Sequence, residues 1–265
     1  MKLTLGFSPC PNDTFIFDAL VNQKIDTGSY RFDVVLEDVE TLNTWALQQK
    51  LDVSKVSYGV WPKIQPFYDV LKSGGAMGTG VGPLLVSNVM PINWEADMQN
   101  YTIALPGEHT TAHRLFSWAF PHFQRKEFMR FDLIEDWLLA APENEPRAGV
   151  IIHENRFTYH ERGLHAWADL GERWERATSL PIPLGGIVAH KRIALEHQRA
   201  IDELIRTSLA YAHSNYPTIS DYVAKHAQAM EQEVMRKHIN LYVNEYSVDM
   251  GKAGEAAIQE LFRNA

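Results

Sequence analysis

The sequence predicts an α/β fold of two lobes joined by two crossovers, ending in a helical tail. Three observations carry that expectation. Short apolar runs alternate with amphipathic helical patterns through two successive blocks of the chain. A polar stretch, Asn88–Asn100, separates the blocks. From Arg192 onward the pattern is wholly helical, and each of these helices has one apolar face that needs a lobe to cover it.

In the first block, Leu3–Phe7 reads as a buried strand. Pro11 breaks the chain, and Asn12 or Asp13 is placed to cap a helix through Phe15, Phe17, Ala19 and Leu20. Arg31–Leu36 is a second strand. Val39–Lys50 is helical, with Leu42, Trp45, Ala46 and Leu47 on its apolar side. Leu51–Ser57 is a third strand, followed by a short helix around Val60–Gln65. Tyr68–Leu71 and Pro83–Val86 are further strands, separated by the glycine-rich run Ser73–Gly82. Alternation of this kind implies a mostly parallel sheet.

In the second block, Thr102–Leu105 is a strand, Thr110–Phe120 a helix, Glu127–Phe131 a strand and Glu135–Ala140 a helix. Ala148–His153 is its strongest strand. A charged helical stretch near Trp167–Trp174 precedes Leu180–Ala189, an extended segment with two glycines. In the tail, Leu195, Ile201, Leu204, Ile205 and Leu209 share a face, as do Ala257, Ile258, Leu261 and Phe262. The economical division gives residues 1–90 and 188–265 to one lobe and 91–187 to the other. The crossings then lie near Ser87–Asn100 and Gly186–His190. Two crossings make a hinge with a cleft between lobes, the architecture of bilobal solute-binding proteins. A single continuous domain is the other reading.

The formal charge is −8 and no basic run is present, which opposes a nucleic-acid surface. The one cysteine, Cys10, excludes an internal disulfide and a cysteine-only metal site. Met1–Gly6 runs straight into a strand, without the apolar core and cleavage site of a signal peptide. No apolar run approaches the roughly 20 residues that span a membrane. The expectation is a cytoplasmic protein that binds a small molecule, with no nucleic-acid or membrane partner. Oligomeric state is not legible.

Candidate site residues cluster where apolar strands end in polar groups, as ligands of open α/β sheets bind at the carboxyl ends of strands. His153 ends the run Val150-Ile151-Ile152. It reads either as a sheet-edge cap or as a general base, since imidazole titrates near neutrality. Lys55 and Ser57 alternate on one strand and face the same side. A lysine there is either a strand end reaching solvent or a carboxylate clamp, because a buried ammonium without a partner is costly. Gly107–Ala112 opens a helix that Thr110 or Thr111 can cap. The free N–H groups of that first turn suit an anion, although an ordinary capped helix uses the same residues. Asn12, Asp13 and Thr14 read as a cap or as site groups, and Asp13 also as a partner for Lys55. Cys10 has no base adjacent in sequence, so it is not taken as a nucleophile. The Ser73–Gly82 run lacks the Gly-Lys-Ser/Thr ending of a phosphate loop. His109 and His113 have zinc-binding spacing but no evident third ligand, so no metal is expected.

Four segments together are more specific: Ser8-Pro9-Cys10-Pro11-Asn12-Asp13-Thr14, Ser54-Lys55-Val56-Ser57-Tyr58-Gly59, Gly107-Glu108-His109-Thr110-Thr111-Ala112 and Ile151-Ile152-His153-Glu154. In this order they resemble the 1,4-dihydroxy-6-naphthoate synthase family of the futalosine route to menaquinone. The resemblance runs from residue 3 to the Leu184-Gly185-Gly186 turn. It implies a periplasmic-binding-protein-like (type II) fold. The implied activity converts cyclic dehypoxanthinyl futalosine to 1,4-dihydroxy-6-naphthoate with loss of a three-carbon fragment, without metal or organic cofactor. His153 then matches the family's proton acceptor. Lys55, Val56 and Ser57, with Thr110 and Thr111, match its substrate-binding stretches. Asn12, Asp13, Thr14, Ala112, Gly185 and Gly186 are further candidates. Chorismate dehydratase, of the same pathway and fold, is the nearest confusable enzyme, and a non-catalytic carboxylate-binding protein is the competing class.

Overall fold

The computed structural model describes residues 1–90, 92–227 and 231–263. Strands β1 (Lys2–Phe7), β2 (Arg31–Leu36), β3 (Val53–Ser57), β4 (Tyr68–Val70) and β5 (Ala76–Gly78) precede a first crossing. Strands β6 (Leu84–Ser87), β7 (Thr102–Leu105), β8 (Lys126–Phe128), β9 (Arg147–Ile151) and β10 (His165–Asp169) form a second sheet in the order β10-β6-β9-β7-β8. Strand β11 (Ile182–His190) returns to the first sheet, whose order is β2-β1-β3-β11-β4, with β5 also paired to β11.

The expected mostly parallel sheet is corrected: both sheets are mixed. β1 is parallel to β2 and β3, but β11 is antiparallel to β3, β4 and β5. β7 is parallel to β8 and β9, whereas β6 is antiparallel to β9 and β10. The reversed strands are the two that follow a crossing. They begin at the cleft, where β3 and β9 end. Ser57 therefore faces Gly185 across the first sheet, and Ile151 faces Leu84 across the second.

The lobe limits expected at 90 and 187 differ from sheet membership. Leu84–Ser87 pairs in the second sheet and Ile182–Gly186 in the first. A short apolar strand reads the same in either sheet, so its pattern cannot assign it. At the hinge the two connections touch backbone to backbone: a Cβ on Gly82 would meet Gly171 Cα at 2.3 Å. The charged stretch near Trp167 begins as β10 before the helix Leu170–Thr178, which Asp169 caps through the Gly171 and Glu172 amides. The glycine-rich run contains β5.

The tail does more than return to the first lobe. Ile201, Ile205 and Leu209 of the helix Leu195–Asn215 pack with Leu3, Leu5 and Phe7. Tyr242, Met250, Ile258 and Leu261 pack instead with Leu115, Phe116 and Trp174 of the second lobe. Arg114 Nε donates to Leu261 O at 3.1 Å, so the tail straps both lobes. Among the described residues no helix is long and apolar enough to cross a membrane.

Candidate active site

The ends of β3, β9 and β11 and the start of the helix Thr111–Ala119 meet around one cavity. It is lined by residues of both lobes. Asn12, Asp13, Lys55, Val56, Ser57, Thr110, Thr111, Ala112, His153 and Gly185 line it. Two expected residues stand behind the wall. Thr14 Oγ1 bonds back to Cys10 O at 3.1 Å, and Gly186 lies against the Tyr58 ring.

The Pro11–Val21 helix starts without a side-chain cap. Cys10 is the capping position in an extended conformation, and Pro11 supplies the first turn. Asn12 and Asp13 are thereby freed from capping and turned into a buried polar chain. Asp13 accepts from Ser8 Oγ at 2.8 Å and Ser8 N at 3.2 Å through Oδ2. Its Oδ1 accepts from Asn12 Nδ2 at 2.9 Å and pairs with Lys55 Nζ at 3.1 Å. Lys55 also donates to Gly74 O at 2.8 Å. An ammonium has three N–H donors, so one remains for a ligand. Ser57 exchanges two bonds with Asn43: its N donates at 2.9 Å and its Oγ accepts at 3.2 Å, which leaves the hydroxyl proton for a ligand.

Thr110 and Thr111 are both on the wall, but their hydroxyls serve the protein. Thr110 Oγ1 caps the helix through His113 N at 3.2 Å and donates to Gly107 O at 2.9 Å. Thr111 Oγ1 accepts from Gly59 N at 3.0 Å and donates to Leu184 O at 2.6 Å, tying the second lobe to the first. The helix start therefore offers the Thr111 and Ala112 amides, which have no intrahelical partner. A second tie runs through Glu40, whose carboxylate accepts from His109 N at 3.1 and 3.2 Å. Asn43 donates to the same carboxylate at 3.1 Å, so Ser57, Asn43, Glu40 and the His109 amide form one chain across the cleft.

His153 lies two residues past β9 rather than within it. Its φ is 57°, in the left-handed region, which costs a non-glycine residue about 1–2 kcal/mol. The turn aims the ring away from the strand and over the cavity, edge-on to Phe131 at 4.8 Å. Its Nε2 is buried without a hydrogen-bond partner among the described residues. Burial pushes the imidazole down to about 4, so it is neutral near pH 7. Next to it, burial pushes Glu154 up to about 7, and Cys10 Sγ approaches Glu154 Oε2 at 3.9 Å. One donor atom each from Cys10, His153 and Glu154 lies within 4.8 Å of the others. That trio can hold a thiophilic cation only after the Cys10 thiol, pushed well up by burial and then by Glu154, loses its proton. His113 is engaged elsewhere, by Glu108 O at 2.7 Å and Lys126 at 3.4 Å.

Sequence reasoning did not single out His238 or Tyr242, which also line the cavity. Both come from the tail helix Gln232–Tyr242, where Met235, His238, Ile239 and Tyr242 are the buried residues. A histidine inside an apolar stripe at helical spacing was the available signal.

The chain resembles known proteins in sequence and in fold. A family profile described as menaquinone biosynthesis matches residues 3–265. A Thermus thermophilus protein named 1,4-dihydroxy-6-naphthoate synthase is 44% identical over 263 residues, covering 99% of this chain and 93% of that protein. A Streptomyces coelicolor protein of the same name is 39% identical over 268 residues, covering 99% and 92%. Among solved structures, a protein of Archaeoglobus fulgidus superposes with a TM-score of 0.89 at 30% identity, covering 98% of this chain and 95% of that one. A Candida albicans protein described as having the generic periplasmic binding protein fold superposes with a TM-score of 0.70 at 9% identity, covering 98% and 90%. At that identity the likeness shows the fold alone, and it agrees with the two lobes seen here.

Proposed function

The chain belongs to the menaquinone biosynthesis family, and from that membership we propose that it acts as a carbon–carbon lyase forming 1,4-dihydroxy-6-naphthoate. Its substrate in this reading is cyclic dehypoxanthinyl futalosine, and the second product is a three-carbon fragment. The observation that carries the reading is the Nε2 of His153, without a hydrogen-bond partner among the described residues, in the wall of a cavity that also holds Lys55.

In the proposed mechanism the substrate lies between the lobes. Its carboxylate meets the free N–H of Lys55, the Ser57 hydroxyl or the Thr111 and Ala112 amides. Neutral His153 removes a proton from the non-aromatic ring, and the electron pair released drives cleavage of the bond to the three-carbon piece. That piece leaves with the electron pair of the broken bond and takes the proton back from the His153 imidazolium. Aromatisation of the remaining ring supplies driving force. The ties at Glu40 and Thr111 hold the lobes together and keep bulk water from the reacting ring. The buried ion pair of Asp13 and Lys55 fixes the floor on which the ring rests. A cytoplasmic site of action belongs to the same proposal.

Incubation with cyclic dehypoxanthinyl futalosine and, separately, with chorismate tests this by mass analysis of the products. The expected result is the naphthoate from the first and unchanged chorismate from the second. Dehydration of chorismate, or no product from either, would overturn the reading.

A further inference from the structure

The mechanism above uses one imidazole, yet a second one lines the same cavity. His238 is fully buried, and its Nε2 lies 2.9 Å from Asn12 Oδ1. The orientation of the Asn12 amide follows from its other partner. Asn12 Nδ2 must donate to the carboxylate of Asp13, which can only accept. Asn12 Oδ1 therefore faces His238, and Nε2 of that ring carries the proton. A neutral imidazole protonated at Nε2 presents a lone pair at Nδ1. That Nδ1 is buried and has no hydrogen-bond partner among the described residues.

An orphaned buried acceptor needs an explanation. The ring is nearly parallel to His153, with centroids 6.3 Å apart and planes 18° from one another. Phe157 and Tyr242 flank it at 6.4 and 4.7 Å, so packing fixes its position. The chain Lys55–Asp13–Asn12–His238 thus runs from a fixed charge to a fixed lone pair, and each member locks the next. Burial and the neighbouring His153 hold His238 well below the usual histidine range, which keeps it an acceptor.

We propose that His238 is a substrate-binding residue whose Nδ1 accepts a hydrogen bond from a ring hydroxyl of the ligand, while His153 handles the proton of the reaction. The identity of the hydroxyl-bearing ligand rests on the function proposed above; the acceptor at Nδ1 does not. The residue selects for a hydroxylated ring over the same ring without hydroxyls, because the bare ring leaves Nδ1 unpaired.

The test compares binding of 1,4-dihydroxy-6-naphthoate with that of 2-naphthoate, which has the carboxylate and rings alone. Wild type should prefer the dihydroxy compound by about tenfold or more, the size of one net hydrogen bond. His238→Phe keeps a flat ring and removes the acceptor, so most of that preference should vanish. His238→Asn offers an amide oxygen near the Nδ1 position and should retain part of it. Nitrogen NMR of the wild type gives a second reading that needs no variant to fold. The Nδ1 resonance of His238 should start as that of a bare acceptor and shift on adding the dihydroxy compound but not 2-naphthoate. An unchanged preference in His238→Phe, or an Nδ1 resonance indifferent to both ligands, would overturn the assignment. Turnover of the futalosine by wild type is scored separately. Its absence would sink the proposed reaction and leave the binding preference to decide on His238.

Discussion

At the residue scale, the neutrality of His153 and the pairing of Lys55 give opposite kinds of prediction. His153→Asn should lower kcat by about 10²–10⁴-fold, the usual loss for a positioned general base. Calorimetric binding of the naphthoate should survive, because Nε2 is not part of the carboxylate clamp. With the free imidazole pushed down to about 4, kcat/KM should stay flat on the acid side until the pH falls through that value. An acid limb near the ordinary histidine value of about 6.5 would assign the base to another group. Lys55 is different, since it is buried against Asp13 at 3.1 Å. Lys55→Met leaves a buried carboxylate without its cation and should destabilise the fold by about 3–5 kcal/mol, while also raising KM. Lys55→Met combined with Asp13→Asn should recover much of the lost stability in thermal melts. A single variant that melts like wild type would mean that the pair is not structural.

At the scale of elements, the end of β9 places two groups with opposed pH behaviour side by side. Glu154 is pushed up to about 7 by burial. Below its unfolded value of about 4.5 the carboxyl is protonated in both states and costs nothing. Between there and about 7 the unfolded chain gives up the proton and the folded chain keeps it, so stability falls as pH rises. Above about 7 the cost is complete, on the order of 3 kcal/mol. Glu154→Gln should therefore match wild type near pH 4.5 and melt at higher temperature at pH 8, whereas an equal difference at both would contradict the burial argument. The elements themselves were largely legible, because β1, β2, β7 and the helix at Thr111 have strong apolar periods and clear caps. Legibility failed where the pattern has two readings. Leu84–Ser87 and Ile182–His190 are apolar in either sheet, and only pairing assigns them. Asn12 looked like a cap because the sequence does not reveal that Pro11 alone starts the helix. His238 was hidden by distance: it is 226 residues from Asn12, and no local pattern joins them.

Among the described residues, two side chains, Glu40 and Thr111, bond across the cleft to backbone groups of the other lobe, and an opening of the lobes would have to break those bonds. Glu40 receives the His109 amide, and Thr111 Oγ1 joins Gly59 to Leu184. Gly107, with φ of 149°, lets the second-lobe loop press on the Glu40 carboxylate, where a Cβ would sit 2.6 Å away. An opening of the lobes would swing the Thr111 helix start and His153 away from Lys55 and Ser57, because the first pair belongs to the second lobe and the other pair to the first. The touching backbones at Gly82 and Gly171 leave the hinge little room for sliding, which favours rotation. A hydrogen bond to a charged group contributes about 1.5–3 kcal/mol. Glu40→Ala should therefore shift the open-to-closed ratio of the free protein about tenfold or more toward open. Hydrogen exchange should then rise at the His109, Thr111 and Ala112 amides, and scattering should give a larger radius of gyration. Adding the naphthoate should restore both, since the ligand supplies contacts to each lobe that the open state lacks. KM should rise more than kcat falls, because the reacting groups reassemble once the ligand is bound. Exchange at those amides identical to wild type, with unchanged dimensions, would show that Glu40 is not the latch and that closure rests on the strap of the tail across Leu115 and Phe116.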